Sequence, residues 1–284
     1  MIIEGRAFKK QTLERIKEQT ETIAVSLAII QVGDEPESNA YIKNKKQMCL
    51  ELGFECNHFK LALDIREVDI IALIEELNND NTTGILIQLP LPKHLDTKKL
   101  QNYIDPLKDI DGLTTINMGR LVNEEETLIP CTARAVIELL KKYEIDVVGK
   151  EVVVVGKSNL VGTPVAILLS KARATVTICH SRTKDLKAKT SEADILIVAV
   201  GKKHLITADM VKEGAVVIDV GINRVDNSKK LYGDVDFNQV KEKAGYITPV
   251  PGGVGQGTVA MLAENLYLAS QMQKKNKKQG RNLK

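Results

Sequence analysis

Short apolar runs alternate with helical patterns in two successive series, and this alternation limits the fold more than any single residue does. In the first series residues 26–32, 56–61 and 84–90 read as strands. Helical spacing over 38–52 and 68–77 separates them, with Ser38 as candidate N-cap and Gly53 as candidate C-cap of the first helix. Residues 95–104 add a short helix and 132–143 a longer one. The second series has strands at 152–155, 175–179, 195–200 and 216–220, with 246–248 as a possible fifth. Residues 258–271 form a last helix, with Thr258 as its cap. Strands that alternate with helices pair in parallel and need helices on both faces. The expected fold class is therefore α/β: two three-layer domains, with the C-terminal helix returning to the first.

Composition removes several classes of function. No apolar run approaches the ~18 residues of a membrane span, and the start, Met1-Ile2-Ile3-Glu4-Gly5-Arg6, is not that of a secretory signal. A cytoplasmic enzyme is the default. The cysteines, Cys49, Cys56, Cys131 and Cys179, form no Cys-x-x-Cys pair and the histidines are scattered. No metal site is expected, and buried thiols are the simpler reading. The net charge of +3 is uneven, because residues 274–284 hold six Lys/Arg and no acid. Without an aromatic or structured motif beside it, that tail reads as a frayed, solvated terminus, and no nucleic-acid partner is expected.

Three motifs bear on chemistry. The strand 152–155 runs into Gly156-Lys157-Ser158-Asn159-Leu160-Val161-Gly162-Thr163-Pro164, a glycine turn that opens a helix. Such a turn lets backbone approach a pyrophosphate, and the helix N-terminus favours the anion. It departs from Gly-x-Gly-x-x-Gly, so a plain strand–helix turn stays open beside a Rossmann-like dinucleotide domain. The next strand ends Cys179-His180-Ser181-Arg182-Thr183, without the acid that would hold free ribose hydroxyls. Ser181, Arg182 and Lys157 suit a 2′-phosphate instead. Far upstream, Tyr41 and Lys45 lie four apart, one turn along one helix face. Short-chain dehydrogenases have the same spacing after their dinucleotide fold. Here it comes before, which argues for a substrate domain first and a cofactor domain second. An exposed basic helix face, with Lys43 and Lys46 alongside, is the bland alternative. A third cluster, Pro249-Val250-Pro251-Gly252-Gly253-Val254-Gly255-Gln256-Gly257, reads as an irregular loop before the last helix.

Taken together, Tyr41-x-x-x-Lys45, Gln88-Leu89-Pro90-Leu91-Pro92, Lys108-Asp109-Ile110-Asp111-Gly112, Gly156-x-Ser158-x-x-Val161-Gly162-x-Pro164 and Pro249-x-Pro251-Gly252-Gly253-Val254-Gly255 resemble, in this order, the bifunctional methylenetetrahydrofolate dehydrogenase/methenyltetrahydrofolate cyclohydrolase (FolD) family. The resemblance covers about residues 1–272. It implies a folate-binding catalytic domain at 1–121 plus 258–284 and an NADP-binding Rossmann domain at 122–257. It implies oxidation of 5,10-methylenetetrahydrofolate with NADP, then hydrolysis to 10-formyltetrahydrofolate, by a homodimer acting on tetrahydrofolate derivatives. Lys45 is similar to the family's catalytic amine, Tyr41 to the ring that stacks on folate, and Gln88 to the residue that tunes the lysine. Asp111 resembles the carboxylate that holds the pterin, and Pro251, Gly252 and Gly253 the loop that borders the substrate. Gly156, Lys157, Ser158, Ser181, Arg182, Gly221 and Ile222 stand where cofactor contacts are expected. The chain departs from the family in having Gln256-Gly257 for Pro-Met, Ala133-Arg134-Ala135 for Pro-x-Gly, and Lys157 for the frequent Arg. The alternatives are a monofunctional dehydrogenase of the same fold, a non-catalytic folate- or nucleotide-binding scaffold, and a shikimate-type dehydrogenase.

Overall fold

The computed structural model describes residues 1–224 and 230–281. In chain order the elements begin with α1 (Gly5–Thr20), β1 (Ser26–Val32), α2 (Pro36–Leu52), β2 (Glu55–Leu61) and α3 (Glu67–Asn79). They continue with β3 (Gly84–Ile87), α4 (Thr97–Tyr103), α5 (Thr115–Val122), α6 (Cys131–Lys142), β4 (Glu151–Val155) and α7 (Gly162–Lys171). Then come β5 (Thr175–Cys179), α8 (Leu186–Thr190), β6 (Ile195–Val198), β7 (Val216–Asp219) and the short pair β8 (Asn223–Arg224) and β9 (Leu231–Tyr232). The last three are α9 (Phe237–Val240), β10 (Tyr246–Ile247) and α10 (Val254–Arg281).

Two compact units result. Residues 11–131 and 261–284 form one, and residues 1–10 and 132–260 form the other. The first holds a parallel three-stranded sheet in the order β2-β1-β3. β1 is its centre and is buried along nearly its whole length, whereas β2, at the edge, alternates exposed and half-buried positions. Ala28, Ile30 and Val32 of β1 pack with Ile70, Ile74 and Leu77 of α3 and Leu100 of α4. Burying each large side chain of this kind contributes roughly 1.5–3 kcal/mol. Gln273 on α10 donates to the carbonyls of Thr83, at 2.8 Å, and Leu107, at 2.9 Å, and Arg15 pairs with Glu264.

The second unit is a parallel five-stranded sheet in the order β10-β7-β6-β4-β5. Val153, Val155, Leu196, Val198 and Val217 build its core with Val211, Val235 and Val240. The extreme N-terminal residues belong here and not with the sheet that follows them. Ile3 N–H donates to Ile247 O at 2.8 Å, Gly5 N–H to Gly252 O at 2.8 Å, and Ile3 is fully buried.

Several local expectations are corrected. α2 starts at Pro36, whose fixed φ suits a first helical position, so Ser38 is a buried helical residue and not the cap. Gly53 does end this helix, in the left-handed conformation. α10 begins at Val254, so Gly255-Gln256-Gly257 is helical and Thr258 caps nothing; its hydroxyl bonds back to Val254 O at 3.2 Å. A glycine costs a helix about 1 kcal/mol relative to alanine. Close packing offsets that cost at Gly257, where an added Cβ would stand 3.1 Å from the Ala135 Cβ. The basic run continues α10 as far as Arg281, with Lys275 bound to Glu126 at 2.9 Å, and 282–284 lie outside the described residues. No helix among the described residues is long and apolar enough to cross a membrane.

Candidate functional site

In the three-stranded unit the C-terminal ends of the strands gather four of the expected residues. Lys45 projects from α2. Its Nζ donates to Gln88 Oε1 at 3.0 Å. Gln88 follows β3 directly, is 7% exposed, and is held at three points. Its backbone N–H donates to Ile30 O at 2.8 Å, its Nε2 to Leu89 O at 2.8 Å, and its Oε1 takes the lysine. The acceptor is thus oriented before any ligand arrives. Tyr41 stands one turn before Lys45 and is 41% exposed.

Asp111 is delivered by a segment that lies alongside β3. Ile85 N–H donates to Lys108 O at 2.8 Å, and Asp109 bridges to Ile85 in parallel. Below it the buried Asp109 accepts from Thr114 N–H at 2.7 Å and Asn117 Nδ2 at 2.9 Å. Lys108 turns inward to the carbonyls of Leu77, at 2.7 Å, and Asp80, at 2.9 Å, at the end of α3. Gly112 permits the turn that follows: its φ is +68°, and an added Cβ would lie 2.6 Å from Leu128 O.

Burial sets the electrostatics. It pulls the Lys45 amine below the ordinary lysine value, and the Asp111 carboxylate only partly opposes this. The same burial pushes Asp111 up, against the pull of the Lys45 charge. Sequence reasoning missed two contributors. Cys131, expected to be an inert buried thiol, donates to Ile110 O at 3.2 Å and helps to hold the Asp111 carboxyl down against the effect of burial. Asn265 of α10 reaches Ile110 O and Ile129 O, each at 2.8 Å, and so pins the backbone on either side of the Asp111 loop. The Pro130-Cys131-Thr132 triplet was the available signal for the first. Nothing local marks Asn265. A cavity of about 350 Å³ beside Lys43, Lys46 and His58 lies on a different face of α2.

The second constellation is in the five-stranded unit. Gly156 leaves β4 with φ +122°, and any side chain there would strike Ala199 O. Gly162 lies equally close to the Gly156 carbonyl. Ser158 Oγ accepts from Val161 N–H at 3.2 Å, and the N-cap of α7, Val161, offers no side-chain acceptor. The result is a tight cradle in front of a helix N-terminus. Val155 of β4 pairs with Cys179 of β5, which sets the exposed Ser181 and Arg182 turn beside it. Lys157 is also exposed. Gly221 and the partly exposed Ile222 follow β7. Pro251, Gly252 and Gly253 form the turn before α10, with Gly253 N–H on Pro249 O at 2.9 Å. They belong to this unit, whereas Tyr41, Lys45, Gln88 and Asp111 belong to the other.

Comparison with known proteins gives both units a counterpart. Residues 3–111 match the family model for the tetrahydrofolate dehydrogenase/cyclohydrolase catalytic domain. Residues 130–274 match that for the tetrahydrofolate dehydrogenase/cyclohydrolase NAD(P)-binding domain. The bifunctional protein FolD of Nautilia profundicola is 49% identical over 95% of this chain and 96% of its own. The crystal structure of the bifunctional FolD enzyme from Campylobacter jejuni superposes with a TM-score of 0.93 at 45% identity, covering 96% of this chain and 99% of that one. That of Trypanosoma brucei FolD, complexed with NADP cofactor and inhibitor, also gives 0.93, at 34% identity, covering 96% of this chain and 98% of that one. The chain belongs to the tetrahydrofolate dehydrogenase/cyclohydrolase family.

Proposed function

We propose that this chain oxidises 5,10-methylenetetrahydrofolate to 5,10-methenyltetrahydrofolate with NADP and then hydrolyses the product to 10-formyltetrahydrofolate, with Lys45 as the base of the second step. Membership of the family supports the two reactions. The observation that carries the role of Lys45 is its surroundings: a desolvated amine with a lowered pKa, aimed at the fixed Gln88 oxygen.

The two steps make different demands. NADP, when bound, accepts the hydride. For that step the chain has only to hold donor and acceptor in register. The cation that remains is shared between two nitrogens and needs little help. Hydrolysis moves protons. Water adds to the methenyl carbon, loses a proton, and the adduct opens. A lysine that is neutral for part of the time can take that proton, and Gln88 keeps it pointed. Asp111 binds the pterin through its N–H groups, and Tyr41 stacks on the folate. Pro251, Gly252 and Gly253 supply a backbone surface to the substrate.

The residues of the second constellation fit NADP. The Gly156 cradle, Ser158 and the open end of α7 suit a pyrophosphate. Lys157, Ser181 and Arg182 suit the 2′-phosphate, and Gly221 and Ile222 the other end of the dinucleotide. The wild type therefore prefers NADP to NAD, and the ratio of kcat/KM values falls in Lys157→Ala and Ser181→Ala. An unchanged ratio in both variants would remove them from phosphate recognition. The protein is read as a cytoplasmic homodimer, a state that light scattering tests directly.

Separate assays of the two steps test the assignment. Lys45→Ala should lose roughly 100- to 10,000-fold in methenyltetrahydrofolate hydrolysis and much less in hydride transfer. Normal hydrolysis by the variant would sink the role of Lys45. A wild type that reduces NADP while the methenyl chromophore persists would be a dehydrogenase only, and one that reduces no NADP would be a scaffold.

A further inference from the structure

Two buried acids stand at the C-terminal ends of β6 and β7 in the five-stranded sheet, and the proposed chemistry uses neither. Asp234, between β9 and α9, is fully buried and Asp219, at the end of β7, is 3% exposed. Neither has an ion-pair partner among the described residues; backbone N–H groups surround them instead. Asp234 accepts from three consecutive residues, Val200 at 2.7 Å, Gly201 at 3.0 Å and Lys202 at 2.8 Å, and from Asn223 Nδ2 at 2.9 Å. Asp219 accepts from Gly221 and Asp234, each at 3.0 Å, and from Val235 at 2.9 Å. The two carboxylates thus form one chain of hydrogen bonds that ties the turn after β6 to the turn after β7. Glycines make room for them: a side chain at Gly221 would strike the Asp234 carboxylate, and one at Gly233 that of Asp219.

The position of this network gives it meaning. The chain runs from β4 outward to β5 on one side and to β6 and β7 on the other, so the topological switch lies between β4 and β6. Open parallel sheets bind their ligands there, outside the carboxyl ends of the strands. Gly156, on the β4 side, sits against Ala199 on the β6 side. Consecutive N–H groups that converge on one point form a nest, which ordinarily takes an anion from solution. In this turn the protein's own Asp234 fills it. The anion seat that no side chain of the protein occupies is then the Gly156 cradle before α7. If the adenosine 2′-phosphate lies by Ser181 and Arg182 on β5, and the pyrophosphate by Gly156 on β4, the nicotinamide end must extend toward β6 and β7.

From this, and resting on the NADP reading above, we infer that Asp234 is a positioning residue for the nicotinamide half of the cofactor: it fixes the Val200–Gly201–Lys202 turn and, through Asp219 and Asn223, the Gly221–Ile222 turn that this half packs against. It touches no substrate. It acts by holding backbone.

A role of this kind separates the two halves of the dinucleotide, which general damage to the fold would not do. The experiment compares binding of NADPH and of adenosine 2′,5′-bisphosphate, which lacks the nicotinamide half, by fluorescence and calorimetric titration of the full-length wild type and Asp234→Asn. Methenyltetrahydrofolate hydrolysis, which consumes no cofactor, serves as a check on the other unit. NADPH should weaken about tenfold or more in the variant, as expected for a disrupted set of charge-assisted bonds. The bisphosphate and the hydrolysis should stay within about twofold, as independent sites do. Equal weakening of both nucleotides would reduce Asp234 to a general structural role, and unchanged NADPH binding would overturn the inference outright. If Asp234→Asn does not fold, Asn223→Ala, which removes one donor from the same carboxylate, must show the same split at smaller size. A wild type that binds the bisphosphate but gains nothing from the nicotinamide half would refute the inference and leave the family assignment standing. A wild type that binds neither would refute the NADP reading itself.

Discussion

Lys45 is held between two opposing effects, and their balance can be moved. Burial lowers its pKa and Asp111 raises it. In the proposed role Lys45 must be neutral to act, so kcat for hydrolysis should rise with pH through the Lys45 value and level off below the ordinary lysine range. Removing the opposing charge in Asp111→Asn should shift that limb to lower pH, even as folate binding weakens by roughly 1.5–3 kcal/mol for a lost charged acceptor. A pH–rate profile at saturating substrate decides it, and a limb that stays in place would mean the two groups do not communicate. The tetrad of Tyr41, Lys45, Gln88 and Asp111 was legible as a motif set because each member lies in a short, ordered signature. The partnership of Cys131 and Asn265 with Asp111 was not legible, since it joins residues that are distant in sequence through a single turn of backbone.

At the scale of elements, strands were read well and helix ends poorly. A buried parallel strand such as β6 is a continuous apolar run that tolerates only one interpretation. α1 went unread because its buried face mixes Phe8, Leu13 and Ile16 with Thr12 and Thr20, which breaks the apolar stripe. The start of α10 was misread because four glycines and two prolines over 249–257 suggest a loop, whereas packing against α6 stabilises a helix. Two of the departures from the expected motif pattern meet in that packing: Ala135, in place of an expected glycine, faces Gly257, in place of an expected methionine. Gly257→Met should therefore cost about 1–3 kcal/mol through overpacking, and adding Ala135→Gly should restore much of it. Denaturant melts of the two single variants and the double variant test this. Strict additivity would show that the positions are independent.

At the scale of the whole molecule the sequence pattern showed that there are two units, but not where the chain passes from one to the other. Residues 1–10 join the five-stranded unit through Ile3 and Gly5, and α10 gives its residues up to Ala260 to that unit and those from Met261 to the other. Pairing of this kind is invisible to local periodicity. The five-stranded unit should also show its own pH dependence. Asp219 is raised from 3.8 to about 7, chiefly by burial. Its folded form holds a proton that the unfolded form releases near 3.8, so its contribution to stability is complete below that pH and is lost as pH rises through about 7. The melting temperature should fall as pH rises from about 4 to about 7 and level off above that, by about 2–4 °C for each kcal/mol lost, and Asp219→Asn should flatten the slope. A midpoint that rises over this interval would contradict the assignment. The interleaved path of the chain also bears on how such a protein can be inherited. A gene fragment that encodes only 132–260 lacks the residues that close the β10 edge, and one that stops at 131 lacks the Asn265 clamp on the Asp111 loop. Neither half is a self-contained cassette, so recombination that exchanges one cofactor unit for another must bring in residues 1–10 together with 132–260, and leave 261 onward in place, or leave a raw sheet edge behind.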